Sequence, residues 1–100
     1  MFRVEETVFD RILKRIRENV RTCQYVMTIH AEEEMDDEGF SIFDIERGIL
    51  TGEIAERQED RETGEWKYIV KGESTAGDEI TVVARLSVTG RLVIITVYGE

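Results

Sequence analysis

The chain has 100 residues, 41% apolar and 35% charged, which is one domain with enough apolar content for an ordinary core. With 22 acidic against 13 basic side chains the net charge is −9 and the pI about 4.6. That balance disfavours binding nucleic acid by general charge attraction, whose usual footprint is a basic patch and a domain pI above about 9. No apolar run approaches the ~20 residues that span a bilayer, and residues 1–6 lack the apolar stretch of a secretory signal. Cys23 is the single cysteine, which excludes an internal disulfide and a cysteine metal site; the cytoplasm is the expected compartment.

The charge is unevenly spread. Residues 1–21 hold six basic and four acidic side chains, net +2; residues 22–65 hold three and fourteen, net −11; residues 66–100 hold four of each. The basic first segment is therefore the one place where a phosphate backbone or an acidic partner has a cationic surface to meet.

In chain order, Val8, Phe9, Ile12, Leu13, Ile16 and Val20 recur at three- and four-residue steps, which predicts an amphipathic helix from about Glu6 to Val20. Thr7 or the acids before it suit its cap, and Arg11, Lys14, Arg15, Glu18 and Arg21 form the opposite face. Tyr25-Val26-Met27 reads as a short extended lead-in. Thr28 is then a plausible N-cap for a helix over Ile29 to Glu38 that stops at Gly39. Ser41, with Asp44 three residues on, opens a third helix that buries Ile42, Ile45 and Ile49, a stripe widened by Phe43 and Leu50, and ends at Gly52.

After Gly52 the period changes to two. Residues 53–59 read as a polar edge strand. Trp66, Tyr68 and Val70 alternate with Lys67, Ile69 and Lys71, and Ile80 to Val88 alternate likewise, as half-buried strands. Leu92 to Val97, apolar on both faces, reads as a central strand. Glycines at 64, 77 and 90 mark short turns, which require antiparallel pairing. The expectation is an α+β fold of one domain: a basic amphipathic helix over 1–21, short helices over 25–52, and a four-stranded antiparallel meander over 53–98.

The lone histidine, His30, lies in the densest block of carboxylates. Histidine is the side chain whose ordinary pKa, about 6.5, allows proton transfer both ways near neutral pH. Helical spacing brings Glu33 and Glu34 near it, so a carboxylate can orient the ring for general acid or base work; packing against a neighbouring strand is the plainer role. His30 with Glu33 or Glu34, and Asp36 or Asp37, makes a poor metal site, because no second histidine or cysteine pair stands at zinc spacing; no cofactor is expected. Lys67, Lys71 and Arg85 alternate against the buried set and can share one sheet face, while Arg91 opens the last strand. Arginine binds phosphate bidentately, so those cations beside His30 suit RNA cleavage by 2′-OH attack, with Tyr98 as hydrogen-bond donor or stacking ring. Equally, they are the wet side of a half-exposed sheet. A different reading takes Glu33, Glu34, Asp37 and Glu38 as an acidic surface that docks a basic protein partner.

Several short motifs together resemble a family. Tyr25, Thr28-Ile29-His30-Ala31, Met35, Gly39-Phe40-Ser41, Asp44-Ile45-Glu46, Gly52-Glu53-Ile54, Lys67 to Gly72 and Ile94-Ile95-Thr96-Val97-Tyr98 follow one another from about residue 24 to 98. In order and spacing this resembles a small bacterial family of unknown function placed beside the BrnT, RelE and MqsR toxins of type II toxin–antitoxin systems. The resemblance implies a RelE/BrnT-like fold, an mRNA endonuclease activity and a cognate antitoxin encoded nearby. Two positions depart from the pattern: Glu34 and Glu38 stand where it has Arg, and an anion there repels phosphate. Read as exposed, both are expected to accept Arg with a stability change near ±0.5 kcal/mol each.

Overall fold

The computed structural model describes residues 7–99. Helix α1 spans Val8–Arg21, β1 Tyr25–Met27, α2 Ile29–Glu38, α3 Ile42–Thr51, β2 Glu53–Glu59, β3 Trp66–Glu73, β4 Glu79–Leu86 and β5 Leu92–Gly99. The part of the predicted first helix before Thr7 lies outside the described residues.

Local chemistry sets the helix ends. Thr7 and Asp10 form a reciprocal capping box on α1: the Asp10 amide donates to Thr7 Oγ1 at 3.1 Å and the Thr7 amide to Asp10 Oδ2 at 3.0 Å. The bond from the Thr7 backbone holds the Asp10 carboxyl below its ordinary range. Thr28 caps α2 through the Ala31 amide, and Gly39, at φ 73°, supplies the left-handed residue that stops it. Ser41 and Asp44 box α3 as expected. Val8, placed in the buried stripe from its spacing, is instead exposed, because the core begins only at Leu13; Phe43 and Leu50 are exposed as well, because α3 buries only the side that carries Ile45, Gly48 and Ile49.

The sheet has five strands in the order β1-β5-β4-β3-β2 and is mixed, so the class is α+β but the expected four-stranded antiparallel meander is one strand short. β2 to β5 form that meander; Tyr25–Met27, read as a lead-in, pairs parallel with Leu92–Ile94. Three residues carry no period to announce a strand. Parallel pairing also needs a long crossover, here the chain from α2 to β4, so local sequence cannot signal it.

All three helices bury side chains on one sheet face. Ile16 and Val20 of α1, Ala31 of α2 and Ile45 and Ile49 of α3 meet Tyr68, Ile80, Val82, Ala84, Leu92, Ile94 and Val97. The opposite face, carrying Lys67, Ile69, Lys71, Thr81, Val83, Arg85, Val93, Thr96 and Tyr98, has none of the described helices over it, although Ile69 and Thr81 within it are buried. β5 is internal, as expected, but Val93, Ile95 and Thr96 on it stay partly exposed, so it is not covered on both sides.

Three glycines let α3 lie directly on β3. A Cβ on Gly72 would stand 2.0 Å from the Gly48 carbonyl oxygen, and one on Gly52 would stand 2.4 Å from the same atom. Arg17 closes this corner, its Nη2 donating to Gly52 O at 2.8 Å at the C-terminal end of α3.

Asp44 ties α3 to the β3–β4 turn. Oδ2 accepts from the Ser41 amide at 2.8 Å; Oδ1 accepts from the Thr75 amide at 2.9 Å and from Thr75 Oγ1 at 2.5 Å. The Ser41 backbone bond, then those from Thr75, lower the carboxyl from 3.8 to about 2. A depressed carboxyl contributes stability that is complete above the unfolded value, 3.8, and is lost as pH falls toward about 2. Asp44→Asn is expected to cost about 1–3 kcal/mol at pH 7, because the new amide cannot accept what the carboxylate accepted. Thermal melts of both proteins should converge between pH 4 and pH 2, where the wild type loses this contribution and the variant has none to lose. A constant difference across that window would remove Asp44 from the acid limb.

Candidate active site at the outer edge of β5

β1 covers the edge of β5 only as far as Ile94, and α2 takes over from there. The Thr28 amide donates to Ile94 O at 3.0 Å and Thr28 Oγ1 to Ile95 O at 3.3 Å. Ile95 is the extra residue of a bulge, since Thr96 pairs with Val83 and Ile94 with Ala84. One turn and a half further along α2, the Val97 amide donates to Glu34 Oε1 at 3.2 Å. A carboxylate thus replaces the missing neighbouring strand and satisfies an edge amide.

The same oxygen orients His30. Its Nε2 lies 3.3 Å from Glu34 Oε1, with the histidine side chain 67% exposed and that of Glu34 only 26%. The ring is thereby held through one nitrogen, and Nδ1 is the one that Glu34 does not engage. A base oriented by a second group, itself fastened to backbone, is the arrangement that proton-transfer catalysts use.

The position of Glu34 corrects the expectation that Arg is tolerated there. An arginine cannot accept from Val97 and puts a cation beside the imidazole. Glu34→Arg is expected to cost about 1–2 kcal/mol, while Glu34→Gln, which keeps an acceptor, stays within about 0.5 kcal/mol. Thermal unfolding of the two variants separates these outcomes, at about 4–8 °C per kcal/mol for a domain of this size. Equal melting temperatures would mean that the Val97 bond carries no stability.

Of the other sequence-derived candidates, Lys67, Lys71, Arg85 and Tyr98 do share the uncovered sheet face. Tyr98, 41% exposed, pairs with Thr81, which in turn pairs with Lys71, so Tyr98 and Lys71 stand two strands or roughly 10 Å apart. Tyr98 follows Val97, whose amide donates to Glu34, and is the member of the set next in sequence to a residue that the His30–Glu34 pair contacts. Arg91 does not open the strand: it lies exposed in the β4–β5 connection, its amide donating to Ser87 Oγ at 3.1 Å. Arg85 Nη1 is held 3.2 Å from Glu65 Oε2, with 32% of its side chain exposed. Glu65 arrives from the end of the β2–β3 hairpin, twenty positions away, and no local pattern marks it. A cavity of about 570 Å³ opens at the other end of the sheet, lined in part by Glu53, Lys71 and Glu79, and does not reach His30.

On α2, Glu33, Asp37 and Glu38 are exposed, but Glu34 is turned onto β5 and does not belong to an outward acidic surface. The helix has no basic residue in its last turn, where Asp36, Asp37 and Glu38 oppose the macrodipole. Among the described residues no group of three His, Cys, Asp or Glu is gathered that could hold a metal ion. Nor is any described helix long and apolar enough to cross a membrane.

A family model described as a domain of unknown function, DUF4258, matches residues 27–99. The chain belongs to this family. No curated protein and no solved structure matches the chain. The DUF4258 region begins at the last residue of β1 and takes in α2, α3 and the meander, so His30, Glu34 and the open sheet face all lie within it. Helix α1 lies outside the matched region.

Proposed function

We propose that this DUF4258 protein is a toxin-like ribonuclease-fold protein of a type II toxin–antitoxin module, cleaving mRNA without a metal and neutralised by a cognate antitoxin. The observation that supports this reading is the exposed His30 imidazole, oriented by a carboxylate that is itself anchored to the β5 backbone. In 2′-OH attack on phosphorus, the 2′-oxygen forms the new P–O bond, the 5′-oxygen leaves, and one proton moves at each oxygen. His30 is the group that moves a proton; Lys67, Lys71 and Arg85 offer charge to the phosphate, Arg91 lies further out at the β4–β5 turn, and Tyr98 donates a hydrogen bond or stacks on a base. The pairing with Glu65 requires Arg85 to exchange a carboxylate for the phosphate. The reading needs a cytoplasmic protein, since mRNA is its substrate. Incubating the purified protein with long single-stranded RNA in excess chelator tests it. Fragments ending in a cyclic phosphate are expected, together with growth arrest on expression; intact RNA with unimpaired growth would overturn it.

A second reading has its own observation. Asp36, Asp37 and Glu38 oppose the dipole of α2 in its last turn, where no basic residue offsets them. On this reading the outward acids Glu33, Asp37 and Glu38 dock a basic protein partner and the domain is not an enzyme. Its signature is partner capture that Glu33→Lys with Asp37→Lys abolishes, with RNA left uncut.

A further inference from the structure

The surface opposite in charge to α2 lies on α1. A cavity of about 550 Å³ between α1 and the β4–β5 connection is lined by Arg11, Ile12, Arg15, Glu18, Asn19 and Leu86. Its walls are built: buried Asn19 donates from Nδ2 to Gly90 O at 2.7 Å, and Arg15 Nη2 reaches so close to Gly90 that a Cβ there would stand 2.4 Å from it. Ile12 and Leu86 give it an apolar floor. Glu18 faces the more distant Arg21 at 4.0 Å, and among the described residues no carboxylate forms an ion pair with Arg11 or Arg15.

The groove calls for a helix with carboxylates one turn apart beside an exposed apolar side chain. That pattern is present in this chain: Ile29, 76% exposed, Glu33 and Asp37 succeed one another at four-residue steps along the outer surface of α2. Arg11, Arg15 and Asn19 repeat the same step on α1. We infer that the groove receives α2 of a second copy of the chain. With the helices antiparallel, Arg11 meets Asp37, Arg15 meets Glu33, and Ile29 falls toward Leu86. The net charge of −9 does not forbid this. At physiological salt the Debye length is about 8 Å, so distant like charges are screened while contacting pairs are not. The inference is independent of the ribonuclease reading, since it uses neither His30 nor the open sheet face.

Sedimentation velocity from 10 to 500 μM (chosen as roughly the range in which exposed charge pairs support weak association) tests it. Association that rises with concentration is expected, weakened several-fold as salt goes from about 0.15 to 1 M and the Debye length falls to about 3 Å. Arg11→Glu with Arg15→Glu, and separately Glu33→Arg with Asp37→Arg, should each give a monomer. An equal mixture of the two variants should associate again, because each then offers the surface that the other lacks. A wild type that stays monomeric to the highest concentration overturns the inference whether or not the variants fold. Association that both charge reversals leave intact, or that a mixture of folded variants fails to restore, overturns it as well.

Discussion

Gly72→Ala is expected to destabilise the protein by about 3 kcal/mol or more, a large share of the 5–15 kcal/mol typical of a domain. The added methyl would lie 2.0 Å from the Gly48 carbonyl oxygen and 2.9 Å from Gly52 Cα. Both are backbone atoms, so no side chain can rotate aside; α3 must lift from β3. Lifting it disturbs Ile45 and Ile49 in the core and the Arg17 bond to Gly52. The same change at Gly39 meets nothing within 4 Å and bears only the strain of its φ of 73°, roughly 1–2 kcal/mol. At about 4–8 °C per kcal/mol, thermal unfolding should place Gly72→Ala more than about 12 °C below the wild type and clearly below Gly39→Ala. A Gly72 variant no worse than the Gly39 variant would show that α3 and β3 separate easily.

The second large effect concerns chemistry. If the domain cleaves RNA, His30→Ala should reduce the rate by about 10²–10⁴, the usual worth of a positioned acid or base. Stability should stay within about ±0.5 kcal/mol, because the ring is exposed and the Glu34 bond to Val97 survives its removal. His30→Gln is the companion variant, since it keeps a donor for Glu34 but cannot exchange a proton near neutral pH. It should be as inactive as the alanine variant while melting with the wild type. Undiminished cleavage by either one would remove His30 from the reaction and place the chemistry on other residues of the domain.

The helices were readable because their ends are local. Thr7 with Asp10, Thr28 with Gly39, and Ser41 with Asp44 all make their bonds within one helix or at its stop, so spacing alone located them. The same holds for the alternation that put Lys67, Lys71 and Arg85 on one sheet face. Partners were not readable in this way. Glu65 beside Arg85, Thr75 beside Asp44, Gly90 beside Asn19 and Val97 beside Glu34 lie 20, 31, 71 and 63 positions apart in the chain. His30 was located by composition and its neighbour Glu34 by helical spacing, but not the reason that Glu34 stays in place.

Local spacing was therefore enough for the three helices and their ends, the four strands of the meander, the α+β class and the separation of charge between a basic first helix and an acidic second one. These follow from interactions within a few residues, whose energies hardly depend on the rest of the chain. Tertiary structure alone decided that a three-residue segment becomes a fifth, parallel strand, that one sheet face stays uncovered, and that Glu34 serves β5 rather than solvent. Each depends on which backbone amides and carbonyls remain unpaired once the strands are ordered, and that order is settled by packing between residues far apart in sequence.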